Sequence, residues 1–274
     1  MAEALILSGA RTPIGKYLGG LADVPAPQLG AVALAEAVKR ARASPGDIQE
    51  VMMGNVLQAG VGQNPARQAA LKAGFPDTIA AFTVNKVCGS GLKAAMLAAQ
   101  AIRAGDLDLA AAGGMESMSR APYLLFGARS GWKYGDQKVV DAMIHDGLWC
   151  AFEDWHMGEA AEHIASKCAV TRQDQDRFSA QSHHRAAAAW ERGAYNAEIV
   201  PVTTGSGPKA KTISRDEGIR AETSADLLAK LKPSFREGGT VTAGNASMLS
   251  DGAAAVVVGS SRRAERNFCC ASSM

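Results

Sequence analysis

Short apolar runs alternate with longer Ala-rich stretches through the first part of this chain. That alternation constrains the fold most, because strands and helices taking turns wrap around a mainly parallel sheet. Ala4 to Ser8 reads as a strand, and Pro27 to Arg42 reads as a helix whose proline suits the first turn. Ile48 to Met53 follows as a strand, then a helix over Pro65 to Ala73 with Asn64 as N-cap and a stop near Gly74. Ala81 to Val87 is the next strand. Gly91 to Ala104 is a helix with Leu92, Ala95, Met96, Ala99 and Ile102 at buried-face spacing, followed by a strand over Leu107 to Ala112.

After Ser117 the composition shifts. No tryptophan precedes it, yet Tyr123, Phe126, Trp132, Tyr134, Trp149, Phe152 and Trp155 crowd the positions that follow. An irregular subdomain is expected there, with helices over Gly158 to Ala169 and Gln173 to Arg192. Thr171 and Asp174 form a capping box for the second, and Ser224 caps a short third helix that Pro233 ends. AAAVVV, Ala253 to Val258, is the continuous apolar run of a strand buried on both faces, so the chain returns to its first sheet. The stretch between is an excursion from one domain.

With 274 residues and 47% hydrophobic content, the chain has enough apolar material for one large core or two modest ones. Lysine plus arginine, 29, nearly balances aspartate plus glutamate, 27, and no dense basic block stands out, which sets nucleic-acid partners aside. No apolar run approaches the roughly 20 residues of a membrane span, and the amino terminus lacks the pattern of a signal peptide. Cys88, Cys150, Cys168, Cys269 and Cys270 show neither a short-chain disulfide pattern nor paired C-x-x-C spacing, so no metal site is expected and a reducing cytoplasm fits.

The chemistry concentrates in VNKVCGSGLKA, Val84 to Ala94: a strand, then Cys88, a glycine-rich turn and a helix. Such an elbow exposes a thiol, lets a substrate approach backbone, and sets a helix amino terminus beside developing negative charge. The same spacing also fits a small buried hydrophobe in an ordinary strand-to-helix turn.

The wording goes further than the spacing. VNKVCGSGLKA resembles the nucleophile motif of the thiolases. GARTPIGKYLGGL, GNVLQAGVGQNPARQAAL, AAGGMESMS, DGLWCAFEDWHMGEAAEHIA and TAGNASMLSDGAAAVVV match in the family's order, over nearly all of residues 1 to 258. The resemblance implies a thiolase-like α/β fold: one βαβαβ-type half, at 1–118 and 245–258, with an inserted α-rich loop domain at 119–244 that holds coenzyme A. It implies that Cys88 takes an acyl group as a thioester and that its backbone N–H helps bind the oxyanion. His156 and Met157 of WHMG would border the acyl pocket, Leu148 would line the pantetheine channel, and Ser247 of GNAS would meet the pantetheine arm. Arg220 of DEGIR would face the nucleotide end, with Lys209 and Lys211 adding positive charge.

The resemblance also implies no resident cofactor, with coenzyme A and acetyl-CoA as substrates, and a homo-oligomer, dimer or tetramer, whose loop around Tyr123 to Val140 pairs dimers. The WHMG wording is closer to the short-chain, acetoacetyl-CoA type. Taken alone, each residue has a plainer use. His156 suits a helix cap, Met157 core filler, Ser247 a turn, and Arg220, Lys209 and Lys211 a solvated face.

Thiolases resemble two similar halves, and the second supplies a histidine base, a second cysteine and a water-positioning asparagine. None of those motifs is present here. The stretch from 259 to 274, GSSRRAERNFCCASSM, reads as an atypical tail with no further α/β pattern. The expectation is a truncated chain, inactive alone; the alternative is a non-catalytic fragment that binds coenzyme A or a partner. A ketoacyl synthase relative shares the elbow, but HMGEAAEHIA argues against it.

Overall fold

A computed structural model describes residues 3–268. The chain divides into two compact units: one takes residues up to Ala142, Glu198–Glu217 and the stretch from Ser250 onward, the other Met143–Ala197 and Gly218–Leu249. The contacts do not break at 118/119 and 244/245. Residues 119–142 and 198–217 go with the sheet.

The first unit is built on β1 (Ala4–Arg11), β2 (Glu50–Gly54), β3 (Ala80–Val84), β4 (Leu109–Ser117) and, after a small hairpin of β5 (Val202–Thr204) and β6 (Lys211–Ile213), β7 (Ser250–Ser260). The main sheet runs β1-β7-β4-β2-β3. β7 is antiparallel to both its neighbours, and β2 is parallel to β3 and β4. Four of the five long strands therefore point one way, and the returning apolar run slots between β1 and β4 as expected from AAAVVV. Because successive strand residues face opposite sides, Val51 and Met53 join one apolar cluster and Met52 the other.

Two helices, α1 (Ala26–Arg40) and α2 (Pro65–Lys72), pack on one face, and α3 (Ser90–Ala104) on the opposite one. Pro27 sits in the first turn of α1, and Asn64 caps α2 by accepting a hydrogen bond from the Arg67 N–H at 3.2 Å. In α3 the buried stripe is Ser90, Ala94, Ala98 and Ile102; of the expected face Ile102 is buried, but Leu92 is 70% exposed and Met96 48%. Small residues win the inner face because α3 lies close on the strands. A Cβ on Gly54 would stand 2.6 Å from the Gly91 nitrogen, so the β2 end accepts only glycine there.

The second unit holds α4 (Met157–Lys167), α5 (Arg172–Glu191) and α6 (Ala225–Ala229). Thr171 caps α5 and Ser224 caps α6 through their hydroxyls, as the sequence indicates. The tail departs from expectation, since β7 runs on into α7 (Ser261–Phe268). Its polar side chains find partners elsewhere in the first unit: Arg263 pairs with Asp47 at 2.6 Å, and the Asn267 amide donates to the Ala41 carbonyl at 2.9 Å. Cys269 and Cys270 lie outside the described residues. No helix among the described residues is long and apolar enough to cross a membrane.

Candidate active site

β3 ends at Val84, three residues before the expected limit, and α3 begins at Ser90, so Cys88 occupies a tight turn between them. Val87 sits at φ +47°, a left-handed conformation that a β-branched residue adopts only when its surroundings impose it. Those surroundings are visible. The Ser90 hydroxyl accepts from the Lys86 N–H at 2.8 Å and donates to the Val87 carbonyl at 2.6 Å, while the Val87 N–H donates to Asn85 Oδ1 at 3.0 Å. Ser90 is itself 4% exposed, so the pin is buried and Cys88, on the outside of the turn, is exposed. The plainer reading of Cys88 as a buried hydrophobe does not fit that exposure.

The turn stands at the carboxyl end of β3, beside Gly54 at the end of β2. This is the edge of a parallel sheet where ligands characteristically bind. Sequence reasoning missed a second support at this edge. Glu116, on β4, accepts from the Asn55 side chain at 2.7 Å and from the Val56 N–H at 2.8 Å, so GNVLQAG and AAGGMESMS are joined through one carboxylate. Burial pushes the Glu116 carboxyl up, against the pull of the Val56 and Leu57 N–H groups and the Asn55 amide. The signal was available as a glutamate in an otherwise apolar, small-residue run.

The remaining expected residues fall in the second unit. His156 is the N-cap of α4: its Nδ1 accepts from the Gly158 N–H at 2.9 Å, and its ring stacks on Phe235 with centroids 5.0 Å apart. A Cβ at position 158 would collide with the Phe235 ring, which explains the glycine of WHMG. Met157 opens α4 and is 39% exposed, and Leu148 closes a π-helical turn, Met143–Leu148, half-buried. Ser247 is exposed just past a turn in which the Thr242 N–H donates to Asn245 Oδ1 at 2.7 Å. The Asn245 amide in turn donates to Asp176 on α5 at 2.9 Å.

Arg220 is exposed, and its guanidinium makes no hydrogen bond or ion pair among the described residues. DEGIR straddles the unit boundary. Asp216 pairs with Arg11 at 2.8 Å in the first unit, whereas Gly218 to Arg220 belong to the second. Lys209 and Lys211 are exposed on the β5–β6 hairpin of the first unit. All five histidines, His145, His156, His163, His183 and His184, lie in the second unit, so the unit carrying Cys88 has none. No group of three or more metal-ligating side chains stands together among the described residues.

Against known proteins, the family described as Thiolase, N-terminal domain, matches residues 4–262. The acetyl-CoA acetyltransferase of Cupriavidus necator is 51% identical over 269 residues, which cover 97% of this chain and 68% of that protein. The acetyl-CoA acetyltransferase of Escherichia coli K12 is 51% identical over 259 residues, 94% of this chain and 66% of that one. In three dimensions, the crystal structure of the Bacillus anthracis acetyl-CoA acetyltransferase superposes with a TM-score of 0.94 at 39% identity, covering 97% of this chain and 68% of that one.

Proposed function

This chain belongs to the thiolase family, and from that premise we propose that it accepts an acetyl group from acetyl-CoA on Cys88 as a thioester. The observation that carries the proposal is the exposed Cys88 on a turn pinned by buried Ser90, immediately before α3. The sulfur attacks the acetyl carbonyl carbon, and the Cys88 backbone N–H helps hold the oxyanion. The bond to coenzyme A then breaks, and coenzyme A leaves as a thiol carrying the proton Cys88 gave up. A second acetyl-CoA, deprotonated at its methyl group, attacks the thioester to give acetoacetyl-CoA and frees the sulfur; thiolysis is the reverse.

Coenzyme A is a substrate in this reading, not a resident cofactor. Leu148, His156, Met157 and Ser247 line the acyl and pantetheine path, and Arg220 meets the phosphates, in the second unit. The setting is cytoplasmic, and the assembly is a homo-oligomer. Exposed Tyr123, Leu125 and Phe126 supply apolar surface for it, and light scattering at micromolar concentration reads it directly.

Methyl deprotonation needs a base, which is worth about 10²–10⁴-fold, and the Cys88 unit holds no histidine. That observation favours a second reading for the 274-residue chain by itself, in which it binds coenzyme A and acylates slowly without condensing. One experiment tests both. The purified chain is incubated with acetyl-CoA and examined by mass spectrometry for acetylated Cys88, with Cys88→Ala as control, while acetoacetyl-CoA cleavage is assayed in parallel. Acetylation lost in Cys88→Ala supports the nucleophile; no acetylation at all refutes it. Robust Cys88-dependent cleavage refutes the second reading.

A further inference from the structure

The Arg220–Thr223 turn is fastened to α5 at both of its ends by two adjacent histidines. The Arg220 N–H donates to His183 Nδ1 at 3.2 Å, and His184 Nε2 meets the Thr223 carbonyl at 2.7 Å. The turn closes on itself through the Thr223 N–H, which donates to the Arg220 carbonyl at 3.2 Å. For these contacts His183 presents a bare Nδ1 and His184 a protonated Nε2. Downstream the chain is secured a second time, since Thr223 is buried and Ser224 caps α6. Upstream the nearest side-chain fastenings are at Asp216 and Glu217, which accept from Arg11 and from the Lys16 and Gly20 N–H groups; Gly218 and Ile219 bring no side-chain hydrogen bond, and His183 is the side chain that fixes the Arg220 amide itself.

We infer that His183 is a positioning residue for anion recognition, holding the Arg220 backbone so that its unpaired, exposed guanidinium is presented to the phosphate end of coenzyme A. The inference rests on the proposed role of Arg220 and deepens it by naming what orients that cation. An arginine loses rotamer and backbone freedom when it grips a phosphate, and a backbone already fixed removes part of that loss. The groups facing His183 are Arg220, His184 and Glu222. Burial, then the Arg220 charge, holds the His183 imidazole below its usual range, with His184 acting in the same direction and Glu222 opposing. The neutral, accepting ring is thus the form kept at neutral pH.

The test uses the full 274-residue chain with coenzyme A as the probe, comparing His183→Ala, His183→Asn, Arg220→Ala and the double variant by calorimetry. His183→Ala is expected to weaken binding about fivefold, the scale of one hydrogen bond. His183→Asn, whose Oδ1 can accept in place of Nδ1, should restore it. In an Arg220→Ala background His183→Ala should cost nothing more, because the group it orients is gone. A second readout needs no ligand: tryptic cleavage after Arg220 should quicken in His183→Ala and not in His183→Asn, at unchanged melting temperature.

Two outcomes separate the layers. If Arg220→Ala weakens binding while His183→Ala does not, or if the two losses simply add, the positioning role is overturned and the Arg220 reading stands. If Arg220→Ala leaves affinity unchanged, or the chain binds no coenzyme A, the Arg220 reading fails and takes the positioning role with it.

Discussion

The sheet unit buries Leu29, Leu34, Val51, Met53 and Ile102 completely, whereas the deepest side chains of the second unit include the carboxylates of Glu162 and Asp176. Glu162 accepts from the Thr240 and Val241 N–H groups, both at 2.7 Å, and from the Thr240 hydroxyl at 2.8 Å. Asp176 takes Arg172 at 2.8 Å and the Asn245 amide at 2.9 Å. Both apolar clusters belong to the first unit. One unit is thus a packed scaffold, cheap to specify by hydrophobic pattern, and the other is a set of helices and turns tied by buried acceptors to backbone donors. A buried carboxylate survives only with its donors in place, so the second unit is specified by particular partners rather than by a pattern.

That contrast can be broken first in the sheet. Leu34→Ala should lower stability by about 2–5 kcal/mol through lost burial and the cavity left behind, read by denaturant unfolding. Next, Glu162→Ala should cost about 1–3 kcal/mol by orphaning the Thr240 and Val241 N–H groups. Its signature is regional: hydrogen exchange should rise at Thr240 and Val241 while β4 amides stay protected. A larger global loss in Glu162→Ala than in Leu34→Ala would reverse the comparison.

Smaller still, Thr171→Ala should remove about 1 kcal/mol by uncapping α5, with faster exchange at the Asp174 amide as the check. Smallest is a pH effect. Because the His183 pKa is lowered in the fold, the unfolded chain takes up its proton first as pH falls. Stability should therefore be lost between the ordinary imidazole value of about 6.5 and the lower folded value, and be unaffected above it. His183→Asn should flatten that part of the stability profile; an unchanged slope would remove His183 from the account.

The elements of the sheet unit were legible because local rules and tertiary packing agree there. Asn64 and Pro27 stand where a cap and a first helical turn belong, and AAAVVV is the buried strand it resembles. The stripe on α3 was misread because Leu92 and Met96 are the larger hydrophobes, while close approach of helix to strands selects Ala94 and Ala98 instead. α7 was invisible for a different reason. Its sequence is short and mostly charged or polar, and what holds it are Asp47 and the Ala41 carbonyl, far away in the chain.

For the site, the sequence by itself determined the identity of the nucleophile candidate, its glycine-rich turn and the order of the flanking elements, because these are properties of residues next to one another. Only the tertiary structure decided what holds them. The Val87 conformation pinned by Ser90, the Glu116 carboxylate joining two distant motifs, Phe235 against His156 and Gly158, and the histidine pair beneath Arg220 all depend on geometry or on contacts between segments far apart in the chain. Spacing along the sequence carries no information about such meetings, which are set by how the strands and helices pack.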